Sequence, residues 1–177
     1  MKIEPFHKLI NAVEESLGRF RAAAEGSIRE AAELILESEG KVVVTGVGKS
    51  GIIGHKTAAT LASTGTPAVF LNAAEALHGD VGVVCPGDVV LLVSNSGETE
   101  ELLRMLPSLR TIGVRTIGLL GRPGSSLASH LDLVVPIEIG EEGDALNMAP
   151  MCSTALALVA GDALAATLQA ERSFGEQ

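Results

Sequence analysis

Short apolar runs rich in β-branched residues alternate with helix-like segments from residue 42 onward. The runs are VVVTGV at 42–47, AVFL at 68–71, VVLLVS at 89–94, TIGLLG at 116–121 and LDLVVPI at 131–137. They are mostly continuous, which is typical of strands buried on both faces. Helical segments are predicted between and after them, at about 50–64, 98–112, 125–130 and 149–170. This alternation predicts βαβ units and a parallel sheet.

Five such strands with helices on both faces predict an α/β fold, a three-layer sandwich around a five-stranded, parallel, flavodoxin-like sheet. We expect one domain over 1–177, with an N-terminal helical segment at 1–40 and an α/β core at 41–170. Apolar residues recur at helical spacing in the first segment. Gly18 and Gly26 indicate one or two breaks there, and Gly40 is its predicted end.

The charge balance excludes one class of partner. The net charge is −9, whereas a nucleic-acid surface needs clustered Lys and Arg. Aromatic residues make up 2% of the chain, so stacking on bases or sugar rings should not dominate recognition. We therefore predict no nucleic-acid partner. A small anion can still bind through local backbone amides, hydroxyls and a few cations.

The longest weakly charged run lies at 147–170, and Pro150 and Asp162 interrupt it. We expect a buried helix there rather than a membrane span, and no membrane partner. The start of the sequence, MKIEPFHKLINAVEE, has early acidic residues and no apolar signal-peptide core, which predicts a cytoplasmic protein. Cys85 and Cys152 lack metal-ligand spacing, so we expect reduced, buried thiols and no metal site.

Two turns have the composition of phosphate-binding turns. TGVGKSG at 45–51 follows the first strand, and SNSGETEE at 94–101 follows the third. Each leads from a strand through hydroxyl residues and glycines into a helix, whose first N–H groups are unpaired and carry partial positive charge. Glycines let the backbone close on an anion, and hydroxyls add donors. Tight turns with helix caps are the alternative interpretation.

Two familiar nucleotide motifs do not fit. A P-loop needs another glycine five positions before the Gly-Lys-Ser triplet, where this chain has Val43. Gly46, Gly48 and Gly51 match a dinucleotide fingerprint, but that fold needs an acidic residue about twenty positions on. Asn72 is near that place, and Glu75 lies only further on.

The motifs GKSG, ASTGTP, HGD, SNSGE and GDAL occur in this order along the chain. With them, residues 30–170 resemble the sugar isomerase (SIS) domain family and, within it, the arabinose 5-phosphate isomerases. At 177 residues the chain resembles the stand-alone form, without the CBS modules of many members. The resemblance implies an aldose–ketose isomerase that interconverts ribulose 5-phosphate and arabinose 5-phosphate through an enediol, in a route to lipopolysaccharide. It also implies a homotetramer with active sites at subunit interfaces.

Such an isomerisation needs an acid–base pair and a phosphate clamp, with no obligatory metal or organic cofactor. The resemblance implies that Glu98 is one acid–base residue. Aligning MAP at 148–150 with the family's LAP implies that Glu142 is the other, although Glu141 and Asp144 leave the register open.

Further site residues follow from their places in the loops. Lys49 is predicted to stabilise the enediolate or to bind the phosphate. His78, between small residues after the second strand, is predicted to shuttle protons or to contact sugar oxygens. The predicted phosphate-binding residues lie in the two turns: Gly48, Ser50, Ser94, Asn95, Ser96, Gly97 and Thr99.

Two other functions remain open at this stage. One is a 3-hexulose 6-phosphate isomerase, against which the segment EALHGDVGVV argues. The other is a non-catalytic, sugar-phosphate-binding regulator. The family's histidine after the last helix has no counterpart after His130, which favours the regulator. Lys49, Glu98 and Glu142 together favour catalysis.

Overall fold

The computed structural model describes residues 3–175, in which five parallel strands form one sheet. The strands are β1 (Val42–Gly46), β2 (Ala68–Asn72), β3 (Val89–Ser94), β4 (Arg115–Leu120) and β5 (Leu133–Pro136). Their order in the sheet is β2-β1-β3-β4-β5. The predicted fold class is confirmed, and each strand lies close to its predicted bounds.

Within residues 3–175, six α-helices surround the sheet. They are α1 (Glu4–Ala23), α2 (Glu25–Leu36), α3 (Gly48–Ser63), α4 (Ala73–Ala76), α5 (Glu100–Ile112) and α6 (Cys152–Glu171). Short 3-10 turns lie at Asp80–Val83 and Ala128–His130. The sequence pattern did not predict α4 or the first 3-10 turn, since both are shorter than one apolar repeat.

The sheet is buried on both faces, as its continuous apolar strands predict. Leu91 and Leu92 are adjacent in β3, and both are 0% exposed. Leu91 lies in a core cluster with residues of α2, α3 and α6, whereas Leu92 lies in a second cluster with residues of α4 and α5. Successive residues of a strand therefore pack into the cores on opposite faces of the sheet.

The helix break in the N-terminal segment was predicted at the wrong residues. The break lies at Ala24, which is 1% exposed, while Gly18 and Gly26 are exposed and lie inside α1 and α2. A glycine weakens a helix by about 1 kcal/mol without forcing a break. The place where the chain folds onto the core decides the boundary instead.

Gly40 is not the helix stop that was predicted. Helix α2 already ends at Leu36, and Gly40 lies against the loop that leads into β3. A Cβ atom on Gly40 would lie 2.7 Å from the carbonyl oxygen of Gly87. This glycine therefore permits a close approach of two backbones.

Helix α6 is a core helix. Within the described residues it alone is long and apolar enough to cross a membrane, but it packs against α1, α2 and α3, and its apolar side chains join the core. Gly161 lets α3 approach, because a Cβ atom there would lie 2.5 Å from Thr57 Oγ1. Beside this contact Lys56 forms an ion pair with Asp162. The GDAL motif thus fixes the packing of α3 on α6.

The two cysteines differ in exposure. Cys152 is buried, and its thiol lies 3.4 Å from the carbonyl oxygen of Ala12. Burial raises the pKa of the Cys152 thiol. Cys85 is exposed, so the prediction of a buried thiol is wrong there. Its neighbour Val84 occupies the buried position of that loop.

Candidate functional site

The two glycine-rich turns lie at the same edge of the sheet. Strands β1 and β3 are parallel neighbours, and Thr45 of β1 pairs with Leu92 of β3. Each turn follows the carboxyl end of its strand. Helix α3 then packs on one face of the sheet and α5 on the other. This is the point where the strand order reverses, at which doubly wound sheets bind ligands.

The first turn gives α3 an open start. Val47 precedes the helix and offers no side-chain cap, and Gly48 has a φ of +57°. The N–H groups of a helix's first turn have no partner within the helix. Lys49 is exposed and forms no ion pair with another residue of 3–175, while Ser50 is half-buried. Unpaired backbone donors and an exposed cation therefore lie at the start of α3.

The second turn is held by its own hydroxyl groups. Ser94 Oγ accepts a hydrogen bond from the Gly97 amide at 3.0 Å and lies 2.9 Å from Thr99 Oγ1. Ser96 Oγ accepts from the Glu98 amide at 3.1 Å. Ser94 is only 2% exposed, so its hydroxyl stabilises the turn from the buried side. Ser96 and Thr99 are half-buried and lie nearer the surface.

A segment between β4 and β5 supports this second turn. The amide of Leu127 donates to the carbonyl oxygen of Gly97 at 3.0 Å, and the amide of Gly121 donates to that of Ser94 at 3.2 Å. Gly97 has a φ of +66°, and a Cβ atom there would overlap with Ser125. The motif GRPGSS at 121–126 was not assigned this role from the sequence, because no spacing rule links it to residue 97.

Glu98 is an exposed carboxylate tied to that segment. Its Oε1 accepts a hydrogen bond from the Ser126 amide at 2.8 Å. Hydrogen bonds from the side chain and the backbone of Ser126 lower the pKa of Glu98, and the nearby charge of Arg122 lowers it further. These hydrogen bonds therefore stabilise the carboxylate form of Glu98 and make it a weaker base than an unperturbed glutamate.

Glu142 is a buried carboxylate at the start of α6. It is 7% exposed, and its Oε2 accepts from the amides of Met151 at 2.9 Å and Ser153 at 3.0 Å. Its own amide donates to Asn147 Oδ1 at 2.6 Å. An anion is favoured at a helix N-terminus, so Glu142 is fixed in position there.

The neighbouring acidic residues, Glu141 and Asp144, make different contacts. Glu141 lies 3.1 Å from Lys8 Nζ in an ion pair with α1. Asp144 accepts hydrogen bonds from three backbone amides, those of Leu146, Met148 and Ala149. Burial raises the pKa of Asp144, but these amides outweigh it, and the pKa is lowered. Among the three, Glu142 alone is a buried side chain.

His78 lies in the turn after α4 and is exposed. Its amide donates to the carbonyl oxygen of Glu75 at 2.9 Å. No hydrogen bond found among residues 3–175 joins its ring to either glycine-rich turn. Its predicted role stays a prediction. Within residues 3–175, no group of three or more His, Cys, Asp or Glu side chains is arranged to hold a metal ion.

The two turns line one small cavity. Ser50 of the first turn and Asn95 of the second line the same cavity, together with Ser153 and Thr154 of α6. Its volume is about 10 Å³. Sequence reasoning did not find the two α6 hydroxyl residues, since they lie far along the chain. A larger cavity of about 520 Å³, between α1, α2 and α6, contains none of the predicted site residues.

The family model of the SIS domain matches residues 35–167. Arabinose 5-phosphate isomerase KdsD of Pseudomonas aeruginosa is 43% identical over 172 residues, covering 93% of this chain and 53% of that protein. Arabinose 5-phosphate isomerase KdsD of Escherichia coli K12 is 48% identical over 144 residues, covering 81% of this chain and 44% of that protein. The chain thus spans about half the length of these curated relatives.

A solved structure is also similar over nearly the whole chain. It is that of the E. coli CFT073 protein c3406 in complex with A5P, with a TM-score of 0.90 and 44% identity. The similarity covers 98% of this chain and 90% of that chain.

Proposed function

This chain belongs to the SIS domain family, and from that premise we propose that it is an aldose–ketose isomerase interconverting ribulose 5-phosphate and arabinose 5-phosphate. The named relatives support this choice of substrate over a hexulose 6-phosphate or a regulatory role. The observation that carries it is that the two turns lie at the same edge of the sheet, where Ser50 and Asn95 line one cavity.

The two turns together bind the phosphoryl group in this proposal. Ser96 and Thr99 are half-buried at the start of α5, and Ser50 is half-buried at the start of α3. An anion at two helix starts gains from unpaired N–H groups and from both helix dipoles. Ser94, bonded to Gly97 and Thr99, keeps the second turn in shape for this contact.

Proton transfer is assigned to the two carboxylates. The isomerisation moves one proton between adjacent carbon atoms and another between their oxygen atoms. Glu98, which the Ser126 amide holds at the edge of the sheet, takes the proton from carbon and returns it to the neighbouring carbon. Glu142 exchanges the oxygen-bound proton. Lys49, the exposed cation of the first turn, stabilises the negative charge of the enediolate. His78 contacts the sugar oxygens or shuttles a proton.

An isomerase assay over five-, six- and seven-carbon sugar phosphates tests the proposal. Conversion of ribulose 5-phosphate into arabinose 5-phosphate, faster than any six-carbon reaction, is the expected result. Faster conversion of a hexulose 6-phosphate would favour the rival isomerase. Binding of sugar phosphates without conversion of any would favour a regulator.

We further propose a single SIS domain over 1–177 and a homotetramer with sites at subunit interfaces. Large apolar side chains are exposed on α1 and near Glu142, which supports an interface there. The relative exposure is 56% for Phe6 and 76% for Leu146 and Met148. A mass near four times that of the chain in light scattering is expected, and a monomer would contradict it. The same family membership supports a cytoplasmic location and a part in lipopolysaccharide synthesis.

A further inference from the structure

The start of α6 contains a buried hydroxyl with no partner. Ser153 is 3% exposed, and its Oγ makes no hydrogen bond within residues 3–175. Its backbone amide is already bound by Glu142. Leaving a buried hydroxyl unpaired is costly, and such groups usually bind protein or ordered water. The Ser153 hydroxyl therefore calls for a partner.

The neighbouring residue shows that this is not the ordinary behaviour of a helical hydroxyl. Thr154 Oγ1 donates back to the carbonyl oxygens of Pro150 and Met151 at 3.0 Å. A hydroxyl in a helix often satisfies itself in this way. Ser153 does not. It lines the small cavity that also contacts Ser50 and Asn95.

The cavity has the size and the lining of a water site. Its volume is about 10 Å³, close to the roughly 10–15 Å³ that one water molecule needs. Four residues with polar side chains line it, and a buried water usually makes two to four hydrogen bonds. The rest of the lining is apolar: Val93, Ile137 and Ala157. One molecule of water fits, whereas a sugar does not.

We propose that this cavity binds one water molecule, through which Ser153 holds Ser50 and Asn95, and that Ser153 is thereby a positioning residue of the phosphate site. The second half of the proposal rests on the proposed function. The water would join the starts of α3 and α6 to the second turn. It would also fix the direction in which the Ser50 hydroxyl donates. Loss of Ser153 should then weaken phosphate binding more than turnover.

A crystal structure of the full chain, at a resolution that shows ordered water, tests the first half without reference to activity. One water within about 3.2 Å of Ser153 Oγ, and equally close to a polar atom of Ser50 or Asn95, is expected. A dry cavity, or Ser153 Oγ bonded to a protein atom, would overturn the proposal. This result stands even if the protein converts no sugar phosphate.

The variant S153A tests the second half, with S16A as its matched control. Ser16 is also a fully buried serine, but its hydroxyl accepts hydrogen bonds from Arg19 and Cys152 and does not line the cavity. Calorimetric binding of arabinose 5-phosphate should weaken about 3- to 10-fold in S153A, the effect of one lost hydrogen bond. The KM should rise with kcat nearly unchanged, and S16A should bind as wild type does.

A double variant with S50A shows whether the two hydroxyls act together. If the water joins them, S50A/S153A binds more tightly than the product of the two single effects predicts. Independent effects, or equal weakening in S16A and S153A, would overturn the positioning role. A wild type that binds neither arabinose 5-phosphate nor inorganic phosphate would refute the proposed function, while the crystallographic test of the water would still stand.

Discussion

Glu98 Oε1 lies 2.8 Å from the backbone nitrogen of Ser126, so the second turn is bonded to the segment between β4 and β5. This contact does two things. It holds the carboxylate in one place at the edge of the sheet, and it lowers the pKa of Glu98. An exposed residue in a mobile loop would have neither property. The position and the lowered pKa of the proposed base thus come from hydrogen bonds of Ser126, 28 positions further along the chain.

The variant E98Q should separate binding from turnover. Glutamine keeps an oxygen that can accept from the Ser126 amide, but it cannot take a proton. We expect kcat to fall by about 10²–10⁴-fold, with the Kd of arabinose 5-phosphate within about 3-fold of wild type. E100Q is the control, because Glu100 is an exposed residue two positions further on, at the start of α5, and forms an ion pair with Arg104. Turnover in E98Q close to that of E100Q would rule out Glu98 as the base.

Replacing the acidic residues before α6 one at a time should settle which of them acts. We expect kcat to fall by at least about 10²-fold in E142Q, because Glu142 alone among them has a buried side chain at the helix start. E141Q should lose less than about 3-fold, since an exposed ion pair such as Glu141–Lys8 contributes little. A larger loss in E141Q than in E142Q would move the assignment to Glu141.

The variant G97A should disrupt the second turn. A Cβ atom there would overlap with Ser125, and alanine is strained at a φ of +66°. We expect a loss of about 1–3 kcal/mol in the free energy of unfolding and at least about 10-fold weaker binding of arabinose 5-phosphate, measured by denaturation and calorimetry.

G18A is the matched glycine control for that experiment. Gly18 lies exposed inside α1, with nothing within 4 Å of a Cβ atom. Alanine should stabilise this helix by about 0.5–1 kcal/mol. Equal stability of G97A and G18A would show that the second turn does not require glycine.

Asp88 should make stability depend on pH. It is 3% exposed and accepts from Lys41 Nζ at 2.6 Å and from the Lys41 and Cys85 amides. Burial raises the pKa of Asp88, but these donors outweigh it, and the pKa is lowered from 3.8. A lowered pKa in the folded state means that the stabilisation is fully present above 3.8 and is lost as the pH falls through the folded-state value.

The variant D88N tests that linkage by thermal unfolding. At pH 7 it should lose about 2–3 kcal/mol, since a buried ion pair with Lys41 is broken. The difference from wild type should shrink as the pH falls below about 3.8. E30Q, at an exposed position, should match wild type throughout. A deficit in D88N that stays constant into acid would contradict this account.

The sequence predicted the fold well because the strands carry their own signal. The run at 89–94 is apolar at every position but its last and contains three β-branched valines, and it forms β3 with those bounds. Burial on both faces leaves no room for polar residues in such a strand. The helix break near Ala24 and the exposure of Cys85 could not be predicted from a local sequence pattern. Both depend on where the chain meets the core, which no local pattern records.

The candidate site was predicted in part for a similar reason. The turns at residues 45–51 and 94–101 are local motifs, so their residues could be named in advance. The support from Ser125 and Ser126, and the hydroxyl of Ser153, come from segments distant along the chain that the sheet brings to the same edge. Only the fold shows that Ser50 and Ser153 share a cavity.

The position of the phosphate in a crystal soaked with arabinose 5-phosphate is the most direct test of the account. We predict a single phosphoryl group bound jointly by Ser50 of the first turn and by Ser96 and Thr99 of the second, with the carbonyl end of the sugar near Lys49 and Glu98. A phosphate bound elsewhere, or touching one turn alone while the other faces away, would contradict it.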